Sequence, residues 1–167
     1  MKTGLLVFLV AGMGAGQADA PRFDRYRVTE APFSGKPVQP MIKTAAERRF
    51  RTMIRTGAAM GPDFAGHFTV VEWGCGAGCV SIVVVDASTG AIHRGPFRTL
   101  AWMPRKYEGK YASNDDSFEQ LVYKLDSRLL VARGSPDEAN TCASYFWEWT
   151  GSEFRLIRTI PSVALPE

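Results

Sequence analysis

The corner Gly74-Cys75-Gly76-Ala77-Gly78-Cys79 constrains this chain more than any other feature. It lies between two runs rich in β-branched and aromatic residues, 67–73 and 80–86. Three glycines and two cysteines packed between strand-forming runs read as a tight connection, because glycine reaches positive φ without steric cost. The second run, VSIVVVD, is almost wholly apolar, as suits a central strand covered on both faces. A turn at Ala87-Ser88-Thr89-Gly90 then returns the chain through residues 91–94.

The hairpin theme repeats. Residues 118–125 turn at Asp126-Ser127 into 128–133, and residues 141–150 turn at Gly151-Ser152 into 153–160. Strand alternation sets Tyr145, Trp147 and Trp149 on one face of the 141–150 run and Phe146 with Glu148 on the other. The turns are unevenly spaced, which disfavours a propeller or solenoid of fixed period and leaves a small or incomplete propeller as second choice. Upstream, Thr44-Ala45-Ala46-Glu47 matches a capping box. Ala46, Phe50, Met53 and Ile54 follow at helical spacing with Gly57 as a stop, which predicts an amphipathic helix over 45–56. With 167 residues, 46% of them hydrophobic and 22% charged, the chain is long enough for one buried core. The expected fold is α+β and β-dominated: a twisted antiparallel sheet or partly closed barrel of consecutive hairpins, with one amphipathic N-terminal helix.

Residues 1–18 have the form of a secretory signal peptide. Lys2 supplies the positive start, and an apolar run from Leu5 to Met13 leads into small residues. That run rises only about 14 Å as a helix, about half the hydrocarbon core of a bilayer. Cleavage after Ala18 uses Gly16 and Ala18; cleavage after Ala20 uses Ala18 and Ala20 but leaves Pro21 first. No later stretch reaches the apolar length of a membrane span. The expected location is therefore the bacterial periplasm or beyond. Residues 19–43, with Pro21, Pro32, Pro37 and Pro40, read as a proline-rich arm laid over the domain, with one short strand candidate at 23–29. Residues 44–167 read as a single globular domain.

In an oxidising compartment the cysteines are expected to pair. The leading arrangement closes the corner through Cys75 and Cys79 and leaves Cys142 as a lone thiol. The competing one ties Cys142 to Cys75 or Cys79 and staples the last hairpin to the central one. Cysteine catalysis would need Cys75 or Cys79 as a thiolate, with His67 as base and Asp63 or Glu72 as orienter. Zinc would need His67, Cys75, Cys79 and Cys142 together. Neither pattern has the spacing of an established motif, and nothing in the sequence calls for a metal or a cofactor. The acidic stretches Asn114-Asp115-Asp116 and Asp137-Glu138 lack the alternation of a calcium loop. His67 is expected to be structural, its ring hydrogen-bonded across the turn, and His93 to sit on the surface.

The segments FAGHF, WGCGAGC and VVDASTG, within residues 64–90, resemble the core of a family of small exported bacterial proteins of uncharacterised function. DSRLLV at 126–131 and YFWEWTG at 145–151 follow the same pattern more loosely. The resemblance implies a small exported β-rich domain with its cysteine loop at residues 73–79, and it implies no activity.

Net charge is +3, too mild to argue for nucleic acid. It is uneven, however: residues 21–58 hold nine basic and three acidic side chains, while 59–167 hold ten basic and thirteen acidic. The expected function is an exported, non-enzymatic binding protein, either of inhibitor or immunity type or a cell-envelope recognition module. Its partner would be a protein or an envelope ligand. Candidate contacts are His67, Trp73, Gly74, Gly76 and Gly78 at the corner and its strand, and Arg48, Arg51 and Arg55 on the helix. The alternative is a small periplasmic hydrolase or transferase using His67 with Cys75, Cys79 or an acidic residue.

Overall fold

The computed structural model describes residues 20–101, 119–139 and 141–161. The proposed signal peptide and the Asn114-Asp115-Asp116 loop lie outside these residues. A single turn of 3-10 helix at Phe23–Tyr26 comes first. Helices α1 (Ala45–Arg49) and α2 (Arg51–Ala58) follow, then strands β1 (Phe68–Gly76), β2 (Cys79–Asp86), β3 (Ile92–Arg94), β4 (Leu100–Ala101), β5 (Leu121–Val122), β6 (Leu129–Pro136), β7 (Ala143–Trp149) and β8 (Phe154–Pro161). All pairings are antiparallel. The sheet runs β1-β2-β4-β6-β7-β8, with β3 attached to β2 and β5 to β6.

The expected antiparallel, β-dominated sheet is present, and the strands at its ends, β1 and β8, do not pair with each other. Five strand spacings would hold β1 and β8 about 24 Å apart in a flat sheet. Yet the ring of Phe68, opening β1, lies 5.1 Å from that of Trp149, closing β7. Phe64, just before β1, stacks 6.0 Å from Phe154, opening β8. The sheet therefore curls until its ends meet through side chains, without closing by hydrogen bonds.

The concave face holds the main core, in which Phe64, Phe68, Val84, Leu100, Leu130 and Trp149 are buried together. Tyr145, Trp147 and Trp149 all join this core while Phe146 faces the other way, as the alternation in β7 predicts. Each half of the convex face carries its own cover. Over β1 and β2, Ile54 and Ala58 of α2 pack on Val71 and Val85. Over β6, β7 and β8, Phe23 and Tyr26 pack against Leu129, Val131 and Phe146. Glu148, on that same side, is nearly buried between Arg128 at 3.2 Å and Arg155 at 2.5 Å.

Two local expectations change. The helix predicted over 45–56 is two helices, broken where Phe50 leaves helical geometry at φ −106°, ψ 17°, and the second runs on to Ala58. The capping box at its start is intact: the Thr44 hydroxyl accepts from the Glu47 N–H, and Glu47 accepts from the Thr44 N–H. The strand candidate at 23–29 is instead the 3-10 turn plus one isolated bridge between Arg27 and Ser127. Among the described residues no helix is long and apolar enough to cross a membrane.

Candidate functional site

The β1–β2 hairpin is in register from Phe68↔Asp86 to Gly74↔Val80 and then slips before Gly76↔Cys79. Gly76 (φ +146°) and Gly78 (φ +64°) carry the turn in conformations that L side chains rarely adopt. Cys75 and Cys79 are joined in a disulfide across this turn, with their Cα atoms 5.2 Å apart. Cys142 is a half-buried free thiol at the start of the last hairpin, so the competing long-range pairing is not formed.

His67 stands at the opposite end of β1 from Cys75, about 26 Å away at strand rise. The structure thus separates the base and nucleophile of a cysteine mechanism, and the disulfide occupies both sulfurs. The same separation keeps His67, Cys75, Cys79 and Cys142 from forming a zinc cluster, and among the described residues no three His, Cys, Asp or Glu side chains gather to hold a metal. The ring of His67 packs 4.1 Å from Phe68, and its backbone carbonyl accepts from the Ala87 N–H. No hydrogen bond reaches that ring among the described residues. The Asp86 carboxylate accepts instead from the hydroxyls of Ser88 and Thr89. His93 is not a surface residue but half-buried, its ring 5.2 Å from Trp149 and 6.0 Å from Phe68. Its place opposite Val84 puts it on the concave side with these rings.

A concavity arises where the sheet loses a strand. β2 pairs with β3 at Val83, Val84 and Val85 and with β4 at Cys79 and Val80. Ser81 and Ile82 between them have no partner on that side, because Gly95-Pro96 takes the chain out of the sheet. Proline has no N–H to give a ladder. At Gly95 a Cβ would come within 2.5 Å of the Ile82 side chain, so a larger residue could not make the exit. The gap opens a groove of about 660 Å³ that runs from α1 and α2 across the sheet to Arg98 and Asp137. Convex-face residues (Phe50, Ile54, Trp73, Ser81, Val83, Ile92, Arg94) line it, and through the gap so do Ile82, His93 and Phe97 from the concave side. Phe50 stacks on Trp73 at 4.9 Å, which ties the break between the helices to the groove wall. The Trp73 indole N–H is buried without a partner among the described residues. At the far end the Asp137 carboxylate accepts from the N–H groups of Arg98 (2.7 Å) and Thr99 (3.1 Å), holding that loop to the β6–β7 turn.

Of the candidate contacts named from the sequence, only Trp73 lines this groove. Gly74, Gly76 and Gly78 are exposed at the disulfide corner. Arg48, Arg51 and Arg55 are exposed and do not line the groove, and Arg48 caps the Lys43 carbonyl at 2.7 Å. Arg94, Arg98, Ser81 and Phe50 were not read from the sequence as contacts. Gly95-Pro96 directly after a short strand was the available signal.

A second concavity of about 440 Å³ adjoins Glu72, Glu119 and Tyr123 on the concave side. The Tyr123 hydroxyl donates to Glu72 at 2.9 Å, and Asp63 accepts from the Val70 N–H at 2.8 Å. Burial pushes Asp63 up to about 6, against the pull of that hydrogen bond. Loss of solvation also raises Glu72, exposed though it is in part, and burial raises Tyr123, for which the neighbouring carboxylates Glu72 and Asp63 add to the effect. No protein-family model matches the chain, and no curated protein or solved structure matches it.

Proposed function

We propose that this chain is an exported, non-enzymatic binding protein of the bacterial envelope that holds its ligand in the groove between the helices and the β2–β3 corner. The observation that carries the reading is the make-up of that groove: an apolar floor with two arginines, Arg94 and Arg98, whose guanidinium groups have no protein partner among the described residues. A mostly apolar concavity of several hundred Å³ with a few polar groups is the common form of a small-ligand site. The leader-like residues 1–18, the Cys75–Cys79 disulfide and the resemblance to small exported proteins support the location. A protein partner, as for an inhibitor or immunity protein, would dock over the same groove and the neighbouring disulfide corner.

The test is to express the full chain in a bacterium and fractionate the cells. The mature protein is expected outside the cytosol, beginning at Asp19 or Pro21 by intact mass, and to leave its ligand chemically unchanged. Retention in the cytosol would overturn the reading. So would a catalytic turnover that His67→Ala abolishes at unchanged melting temperature.

A further inference from the structure

We infer that the groove takes a free amphipathic carboxylate, an acyl chain or aryl body ending in one anionic group; this rests on the binding-protein reading above. Four charged side chains line the groove, and they differ in what already holds them. Glu47 accepts from the backbone N–H groups of Lys43 (2.5 Å) and Thr44 (2.8 Å), and Asp137 from those of Arg98 and Thr99. The two carboxylates therefore have local donors, whereas the guanidinium groups of Arg94 and Arg98 meet no acceptor among the described residues. A guanidinium presents a planar fork of N–H donors that matches a carboxylate two bonds at a time.

Ser81 adds a nearly buried hydroxyl in the floor with no protein partner among the described residues. The remaining titratable group of the lining, His93, is engaged by the rings of Phe68 and Trp149. The rest of the floor is hydrocarbon and aromatic surface that any apolar body would cover. Affinity for the tail is thus indifferent to charge, and discrimination falls on the head group. An anion at Arg94 and Arg98 gains charge-assisted hydrogen bonds, while a cation on the same tail meets like charge.

The experiment is calorimetric titration of the full mature protein at neutral pH with decanoate and with decyltrimethylammonium, both below micelle formation, and with phosphatidylglycerol vesicles. Decanoate is expected to bind about tenfold or more tightly than the cationic amphiphile. Arg94→Glu/Arg98→Glu should abolish or reverse that preference. Arg51→Glu/Arg55→Glu, which changes net charge equally on the outer helix face, should leave it intact.

The inference is overturned if decanoate does not bind, if the two head groups bind alike, if both double variants weaken decanoate equally, or if only vesicles bind. Those failures would leave an exported protein without turnover, and so the broader reading, standing. Cytosolic retention or turnover would remove the broader reading whatever the head-group preference.

Discussion

Asp63 is held just ahead of β1 by a hydrogen bond from Val70, yet burial outweighs that bond and pushes its carboxyl up to about 6. The sign of the consequence follows from linkage. An acid whose pKa is higher in the folded chain than in the unfolded one binds its proton more tightly when folded, so its contribution is fully present below the unfolded pKa of about 4 and is lost as pH rises through about 6. Glu72 shifts in the same direction and adds to the loss. Glu47 and Asp86 shift downward and act in the opposite sense, below the ordinary carboxylate range. Between about pH 4 and 6 the chain should therefore lose stability with rising pH. Asp63→Asn keeps an oxygen for the Val70 N–H and removes the charge. Its melting temperature is expected to exceed that of the parent at pH 7.5 and to vary less between pH 4.5 and 7.5. Equal pH profiles for the two proteins would refute the assignment.

At the scale of elements, the sequence was most informative where a structure is set by neighbours in the chain. The capping box needs only Thr44 and Glu47, and the β1–β2 corner needs only its glycines and the chirality of everything else. Elements set by distant partners were less legible. Phe23 to Thr29 has strand-like residues, but strand preference is a preference for a pleated, half-buried surface, and the arm finds side chains of β6 and β7 beneath it and only a single bridge, Arg27 to Ser127, alongside. The break at Phe50 answers to its ring on Trp73, across a gap of more than twenty residues of sequence. The groove depends on where β2 stops pairing with β4 and starts pairing with β3, a matter of register that no single segment states. The disulfide belongs to the legible class and gives an element-scale prediction. Denatured without reductant, the protein should take up one alkyl group, at Cys142, and three after reduction. Cys75→Ser/Cys79→Ser should lower stability by about 2 kcal/mol in denaturant titration, because the bridge closes so short a loop. Three reactive thiols before reduction would contradict the pairing.

Over the whole molecule, the N-terminal segment holds a sheet that cannot finish itself. With β1 and β8 not joined to each other, both convex halves would expose apolar surface, and residues 20–58 cover them in turn. The arm is fastened along its length: Arg128 N–H donates to the Tyr26 carbonyl at 2.8 Å, Val28 to Asp126 at 2.9 Å, Phe33 to Gly66 at 2.9 Å, Val38 to Ala87 and Met41 to Gly90 at 2.8 Å. One fully buried side chain ties these ends together. The Ser127 hydroxyl sits 3.1 Å from the Phe23 carbonyl and 3.2 Å from that of Tyr26, and it accepts from the Leu129 N–H at 3.2 Å. The order of dependence follows: without the arm, Leu129, Val131 and Phe146 lose their cover, and β6, at the centre of the path, is bared on one face. A chain beginning at Lys43 is expected to bind a hydrophobic dye and to melt without a cooperative transition, whereas one beginning at Ala20 melts cooperatively. Ser127→Ala isolates the fastening from the covering. It leaves the apolar contacts in place and strands the Leu129 N–H, so it should cost about 1–3 kcal/mol while the transition stays cooperative. If the shortened chain melts at the parent's temperature, the arm is a passenger and the curled sheet is stable alone.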